Sequence, residues 1–86
     1  MDFQKQLGRN VSKLRNGVGL TQEQLSEAAS IDRSYLQRIE AGTTNPTFDV
    51  LIRLGKALGA SWRDMTAQIE LGAGATATSK PPKKTR

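Results

Sequence analysis

The side chains best equipped for chemistry lie in "DRSYLQRIEA", Asp32 to Ala41. On a helical projection Arg33, Ser34, Gln37, Arg38 and Ala41 share one arc, Leu36 and Ile39 point the opposite way, and Tyr35 and Glu40 sit on the flanks. An arginine guanidinium forks onto O6 and N7 of guanine, a glutamine carboxamide pairs with N6 and N7 of adenine, and a serine hydroxyl meets either base. A helix with such a strip fits the major groove of duplex DNA. A polar outer face is also what any solvated helix shows, so the strip gains meaning only from the elements around it. Tyr35 is open between two roles: its ring or hydroxyl reaches a base, or it covers the edge of the core.

Other chemistries lack their residues. The chain has no His, no Cys and no glycine-rich loop following a strand, and its carboxylates are scattered among helix caps and solvent faces. This argues against an enzyme, a metal site or a bound cofactor. No small-molecule ligand is expected either. The longest apolar runs, such as "VLI" at Val50 to Ile52, are too short to span a bilayer, and "MDFQKQLGRN" lacks the apolar region of a signal peptide. A soluble, cytoplasmic protein is the expectation. The net charge of +5 is unevenly placed: Met1 to Leu71 holds nine basic and eight acidic residues, a net of +1, while Gly72 to Arg86 holds four basic residues and no acidic one. Overall basicity is therefore weak evidence, and a DNA-binding reading must rest on position.

The elements that would carry the strip follow from spacing. Phe3, Leu7, Val11 and Leu14 form one narrow stripe of a helix over Asp2 to Arg15, which "NGVG" at Asn16 to Gly19 closes. "TQEQ" is a capping-box pattern that starts a second helix at Gln22, burying Leu25, Ala28 and Ala29 and stopping near Ser30 and Ile31. Asp32 can cap the third helix, Arg33 to Ala41, which Gly42 ends. Pro46 turns the chain, Thr47 caps a fourth helix from Phe48 to about Leu58, and Leu51, Leu54, Gly55 and Leu58 face inward. Gly55 on that inner face suggests close approach of a neighbouring helix. Ser61 and Asp64 open a fifth helix carrying Met65, Ile69 and Leu71. The expected architecture is all-α, a compact five-helix domain over residues 1–71, followed by a disordered basic tail over residues 72–86.

A short helix, a brief turn and a second helix with a polar outer face make a helix-turn-helix. "GLTQEQLSEAASIDRSYLQRIEAGTTNPTFDVLIRLGKALGAS" resembles the DNA-binding domain of the lambda-repressor and Cro-like regulators, the xenobiotic-response-element family. Its anchors are "LR" at Leu14 and Arg15, "GLTQEQL" at Gly19 to Leu25, "RIEAG" at Arg38 to Gly42, "NPT" at Asn45 to Thr47 and "LGAS" at Leu58 to Ser61. The run "IDRSY" further resembles the controller proteins of restriction-modification systems. The resemblance implies that Arg33, Ser34, Gln37 and Arg38, with Tyr35, occupy base-reading positions. It implies phosphate contacts from Thr21 and Gln22 and from Thr43, Thr44 and Asn45, with Gln22 also bracing the reading helix. It implies a partly buried salt bridge between Arg15 and Glu40. Two positions depart from the family pattern. Ser30 stands where the turn usually has Gly, and Gly55 where helix four usually has Ala.

The family resemblance also implies a homodimer on a palindromic operator, since one reading helix covers few base pairs. Trp62, Met65, Ile69 and Leu71 offer more apolar surface than so small a core can hide and are the expected dimer interface. With no second domain expected to sense a ligand, the chain reads as a controller protein or a small phage-type repressor. The alternative is an antitoxin that uses the same fold to bind a toxin. The basic tail could add salt-sensitive phosphate attraction or simply solubilise the chain.

Overall fold

The computed structural model describes residues 2–69. Those residues form five helices and no strand: α1 (Phe3–Gly17), α2 (Gln22–Ala29), α3 (Arg33–Ala41), α4 (Phe48–Leu58) and α5 (Trp62–Met65). Each start is marked by a residue in extended backbone, and four of the five use its side chain. Asp2 accepts from the Lys5 amide, Thr21 from that of Gln24, Thr47 from that of Val50 and Ser61 from that of Asp64. At Thr21 and Ser61 the capping box is complete, because Gln24 and Asp64 return the bond to the cap amide. Asp32 departs from expectation. It holds the N-cap position of α3 through its backbone carbonyl, which accepts from the amides of Tyr35 and Leu36, while its carboxylate makes no capping bond.

α1 runs two residues further than the sequence breakers suggest. It ends where Gly19 takes a left-handed conformation and the Leu20 amide bonds back to the Arg15 carbonyl. α2 ends in the same type of closure with Ser30 at φ 58° and ψ 48°, its Ile31 amide bonded to the Ser26 carbonyl at 2.9 Å. The expected fifth helix is a single turn. Gln68 is left-handed at φ 65°, so Ile69 follows a turn instead of continuing a helix, and Leu71 lies outside the described residues together with the whole of 72–86.

The core consists of Val11, Leu25, Ala29, Leu36, Ile39, Val50, Leu54, Leu58 and Met65, with Leu7, Leu14, Leu20, Ile31, Tyr35 and Leu51 packed partly buried against it. Two expected core positions differ. Phe3 is half-exposed because it precedes the stretch where α1 meets α3. Ala28 is exposed and Ser26 takes the buried place, its hydroxyl donating to the Glu23 carbonyl at 2.8 Å. Around Gly55 no helix backbone comes close: an added Cβ would meet only the Ala60 carbonyl at 3.4 Å and Met65 Cγ at 3.9 Å. The close crossing is elsewhere. A Cβ on Gly8 would collide with the carbonyl oxygens of Ile39 and Glu40, so α1 rests directly on the last turn of α3.

Candidate nucleic-acid interface

Leu36 and Ile39 are fully buried and fix one side of α3 to the domain. On its other side Arg33, Ser34, Gln37 and Arg38 are all exposed. This is the division of labour that the helical projection implies: two apolar contacts hold the helix, and four hydrogen-bonding side chains stand in solvent on one strip. Tyr35 is half-buried at the edge of the core, and the Arg38 guanidinium carbon lies 5.6 Å from the centre of its ring.

Polar contacts hold the end of α3 and the turn that precedes this helix. At its C-terminal end Arg15 reaches across from α1 and grips Glu40 with two bonds, Nε to Oε2 at 2.7 Å and Nη2 to Oε1 at 3.0 Å. The two side chains are only 13% and 7% exposed. The Glu40 carboxylate holds the Arg15 guanidinium above its ordinary pKa, against the opposing effect of burial. Arg15 Nη1 also donates to the Leu20 carbonyl at 2.9 Å, and Gln22 Nε2 donates to Glu40 Oε1 at 3.0 Å. Gln22 thereby braces the end of α3 from the first turn of α2. In the turn between α2 and α3, Arg53 of α4 donates through Nη1 to the Ser30 carbonyl at 3.1 Å and through Nη2 to Asp49 at 2.7 Å.

The residues around the strip differ in what they leave free. Thr21 is exposed, with its oxygen already accepting from Gln24. Thr43 and Asn45 are exposed and Thr44 is half-buried; the Thr43 hydroxyl donates to the Arg38 carbonyl at 3.3 Å. Gly42 caps α3 in left-handed backbone, and its own Cα lies so near Lys5 that a side chain there would collide with the Lys5 backbone.

A second surface is apolar. Phe48, Leu51, Ile52, Gly55 and Trp62 line an open groove of about 470 Å³, with Phe48 64% exposed, Trp62 49% and Ile52 37%. The Phe48 and Trp62 rings meet edge to face, 5.2 Å between centres. Of the residues expected at a dimer interface, Trp62 lies on this groove and Ile69 is half-buried. Met65 lines the floor of that groove and not its exposed rim. It is 1% exposed, because the single turn of α5 drives it into the core beside Gly55.

Four important residues escape a reading of the sequence. Asn10 is buried in α1, its Nδ2 donating to the carbonyls of Met65 at 2.8 Å and Ala67 at 2.9 Å, which ties down the end of α5. Its signal is an amide three residues after Leu7 and beside Val11, next to an apolar stripe. Gly8 permits the α1–α3 crossing and lies in the same stretch. Phe48 and Ile52 belong with the exposed groove although both read as ordinary residues of an amphipathic α4.

Comparison with known proteins agrees with this geometry. The helix-turn-helix family pattern matches residues 11–65. A transcriptional regulator of the helix-turn-helix type from Sinorhizobium fredii is 41% identical over 61 residues, which cover 71% of this chain and 79% of that protein. Control protein C.SmaI of Serratia marcescens is 41% identical over 61 residues, 71% of this chain and 73% of its own. Among solved structures, the restriction-modification controller protein C.AhdI from Aeromonas hydrophila matches with a TM-score of 0.70 at 31% identity, covering 72% of this chain and 94% of that one.

Proposed function

The chain belongs to the helix-turn-helix family of DNA-binding transcription regulators, and on that premise we propose that it acts as a homodimer on a palindromic operator, as a restriction-modification controller protein or a small phage-type repressor. The observation that carries the reading is the exposed strip of Arg33, Ser34, Gln37 and Arg38 on a helix pinned by Leu36 and Ile39. Its side chains have the donor and acceptor geometry that distinguishes base pairs in the major groove. Thr21, Gln22, Thr43, Thr44 and Asn45 flank the strip and would fix the register on phosphates, contacts that carry no sequence information. Controller proteins among the relatives and solved structures favour that branch over a phage repressor.

Pairing of two copies would use the groove between α4 and α5. Phe48, Ile52 and Trp62 form its apolar face, a wider patch than scattered surface residues make. Two reading helices related by a two-fold axis then address half-sites about one helical turn apart. The cytoplasm, where the chain would meet its operator, is the expected place of action.

Selection of bound duplexes from a random DNA pool tests this reading, followed by binding of Arg33→Ala and Arg38→Ala to the selected and to scrambled sequences. Each lost bidentate base contact should cost about 1 to 3 kcal/mol on the selected duplex and relax preference at one half-site position. A pool that yields no enriched sequence refutes the reading. Equal losses on both duplexes reassign the arginine to phosphate.

A further inference from the structure

Arg38 is a long, rotamer-rich side chain, and among the described residues its guanidinium has no hydrogen-bond or ion-pair partner. What stands next to it is the face of Tyr35, three residues earlier on the same helix, with the guanidinium carbon 5.6 Å from the ring centre. That separation lies within the reach of a cation–π contact. The ring itself is not free to wander, because Tyr35 is half-buried and packed against the core. Its hydroxyl makes no hydrogen bond among the described residues. A fixed ring therefore stands beneath an otherwise loose reading group.

We infer that Tyr35 is a positioning residue: its aromatic ring, and not its hydroxyl, holds Arg38 in place and so sharpens discrimination at the base pair Arg38 meets. This rests on the reading of α3 as the DNA-reading helix. An arginine already confined near its bound geometry loses less freedom when it forks onto guanine, and the gain appears only at that base pair. A contact of this kind at a partly exposed site corresponds to roughly a two- to five-fold change in discrimination.

The experiment compares the wild-type chain with Tyr35→Phe, Tyr35→Leu, Arg38→Ala and the Tyr35→Leu/Arg38→Ala double variant. Each is titrated against the selected duplex and against duplexes changed at single half-site positions. Tyr35→Phe should keep the wild-type profile, and Tyr35→Leu should lose two- to five-fold of the preference at the same position that Arg38→Ala relaxes. In the double variant the tyrosine change should add nothing. The inference is overturned if Phe loses as much as Leu, which assigns a hydroxyl contact, or if Leu weakens all duplexes equally, which assigns a packing role. Additive losses in the double variant overturn it as well. A wild-type chain that selects no duplex overturns the DNA-reading proposal and this role together, whereas a binding wild type with an unchanged Tyr35→Leu profile removes this role alone.

Discussion

Arg15 and Glu40, twenty-five residues apart in sequence, form a two-pronged ion pair that joins the last turn of α1 to the last turn of α3. The pair is closed to solvent on most sides and shares its carboxylate with Gln22 from α2. Three helices thus converge on one carboxylate at the end of α3. A fork of this kind fixes direction as well as distance, since two donors of the planar guanidinium must meet two carboxylate oxygens at once.

Removing either partner alone leaves a charge buried without compensation. Arg15→Ala and Glu40→Ala should each cost about 3 kcal/mol in urea unfolding, near the low end for buried pairs because some solvent reaches the site. Replacing both together with Met and Leu should recover most of that loss. If the single variants unfold at the wild-type midpoint, the pair is a surface contact in energetic terms.

Two glycines in helix interiors should respond to Ala with opposite sign. At Gly8 the new methyl would meet backbone carbonyl oxygens of Ile39 and Glu40 well inside contact distance, and backbone cannot yield cheaply. Gly8→Ala should lower stability by about 1 to 3 kcal/mol by forcing α1 off α3. At Gly55 the nearest atoms are at ordinary contact distance, so Gly55→Ala should raise stability by roughly 1 kcal/mol through helix propensity alone. Thermal unfolding of the two variants side by side decides the matter.

The contrast between these glycines shows where the sequence is legible and where it is not. Periodicity and capping patterns locate α2, α3 and α4 and separate the outward strip of α3 from Leu36 and Ile39, because those features depend on neighbours three or four residues away. They do not identify which glycine lies under a crossing helix, since that depends on the relative placement of α1 and α3. For the same reason the shortness of α5 is invisible: the left-handed Gln68 follows it with no glycine to announce the break. Asn10 reads as a polar residue on a helix until its carbonyl partners at Met65 and Ala67 are in place.

Ser30 holds left-handed backbone that disfavours side chains carrying a Cβ. The Arg53 bond to its carbonyl helps secure the turn without requiring the serine hydroxyl. Ser30→Gly should therefore stabilise the domain by roughly 1 kcal/mol with DNA affinity unchanged. An unaltered unfolding midpoint would mean that the turn is relaxed as it stands.

The capping box of α5 should be sensitive to acid. The Ser61 backbone amide, and then its hydroxyl, hold the Asp64 carboxyl below its ordinary range. A lowered folded-state pKa contributes stability at all pH above the unfolded value, near 4, and that contribution is lost as pH falls through the folded value. Trp62 opens this helix, so its fluorescence should change below about pH 4. Asp64→Asn keeps an acceptor for the Ser61 amide without titrating, and should flatten that response.

The apolar groove supplies the sharpest test of pairing. Ile52 is partly exposed on its rim and makes no part of the buried core, so Ile52→Glu should leave the monomer fold intact while placing a charge where a second copy would sit. A charge buried without a partner at the centre of a contact opposes association strongly. Sedimentation at micromolar concentration should then give a dimer for the wild-type chain and a monomer for the variant. Losing the linked second half-site should weaken binding to the palindrome by on the order of 100-fold or more, with little change for a single half-site. A wild-type monomer that binds the palindrome one to one removes the dimer from the proposal and leaves α3 to work alone.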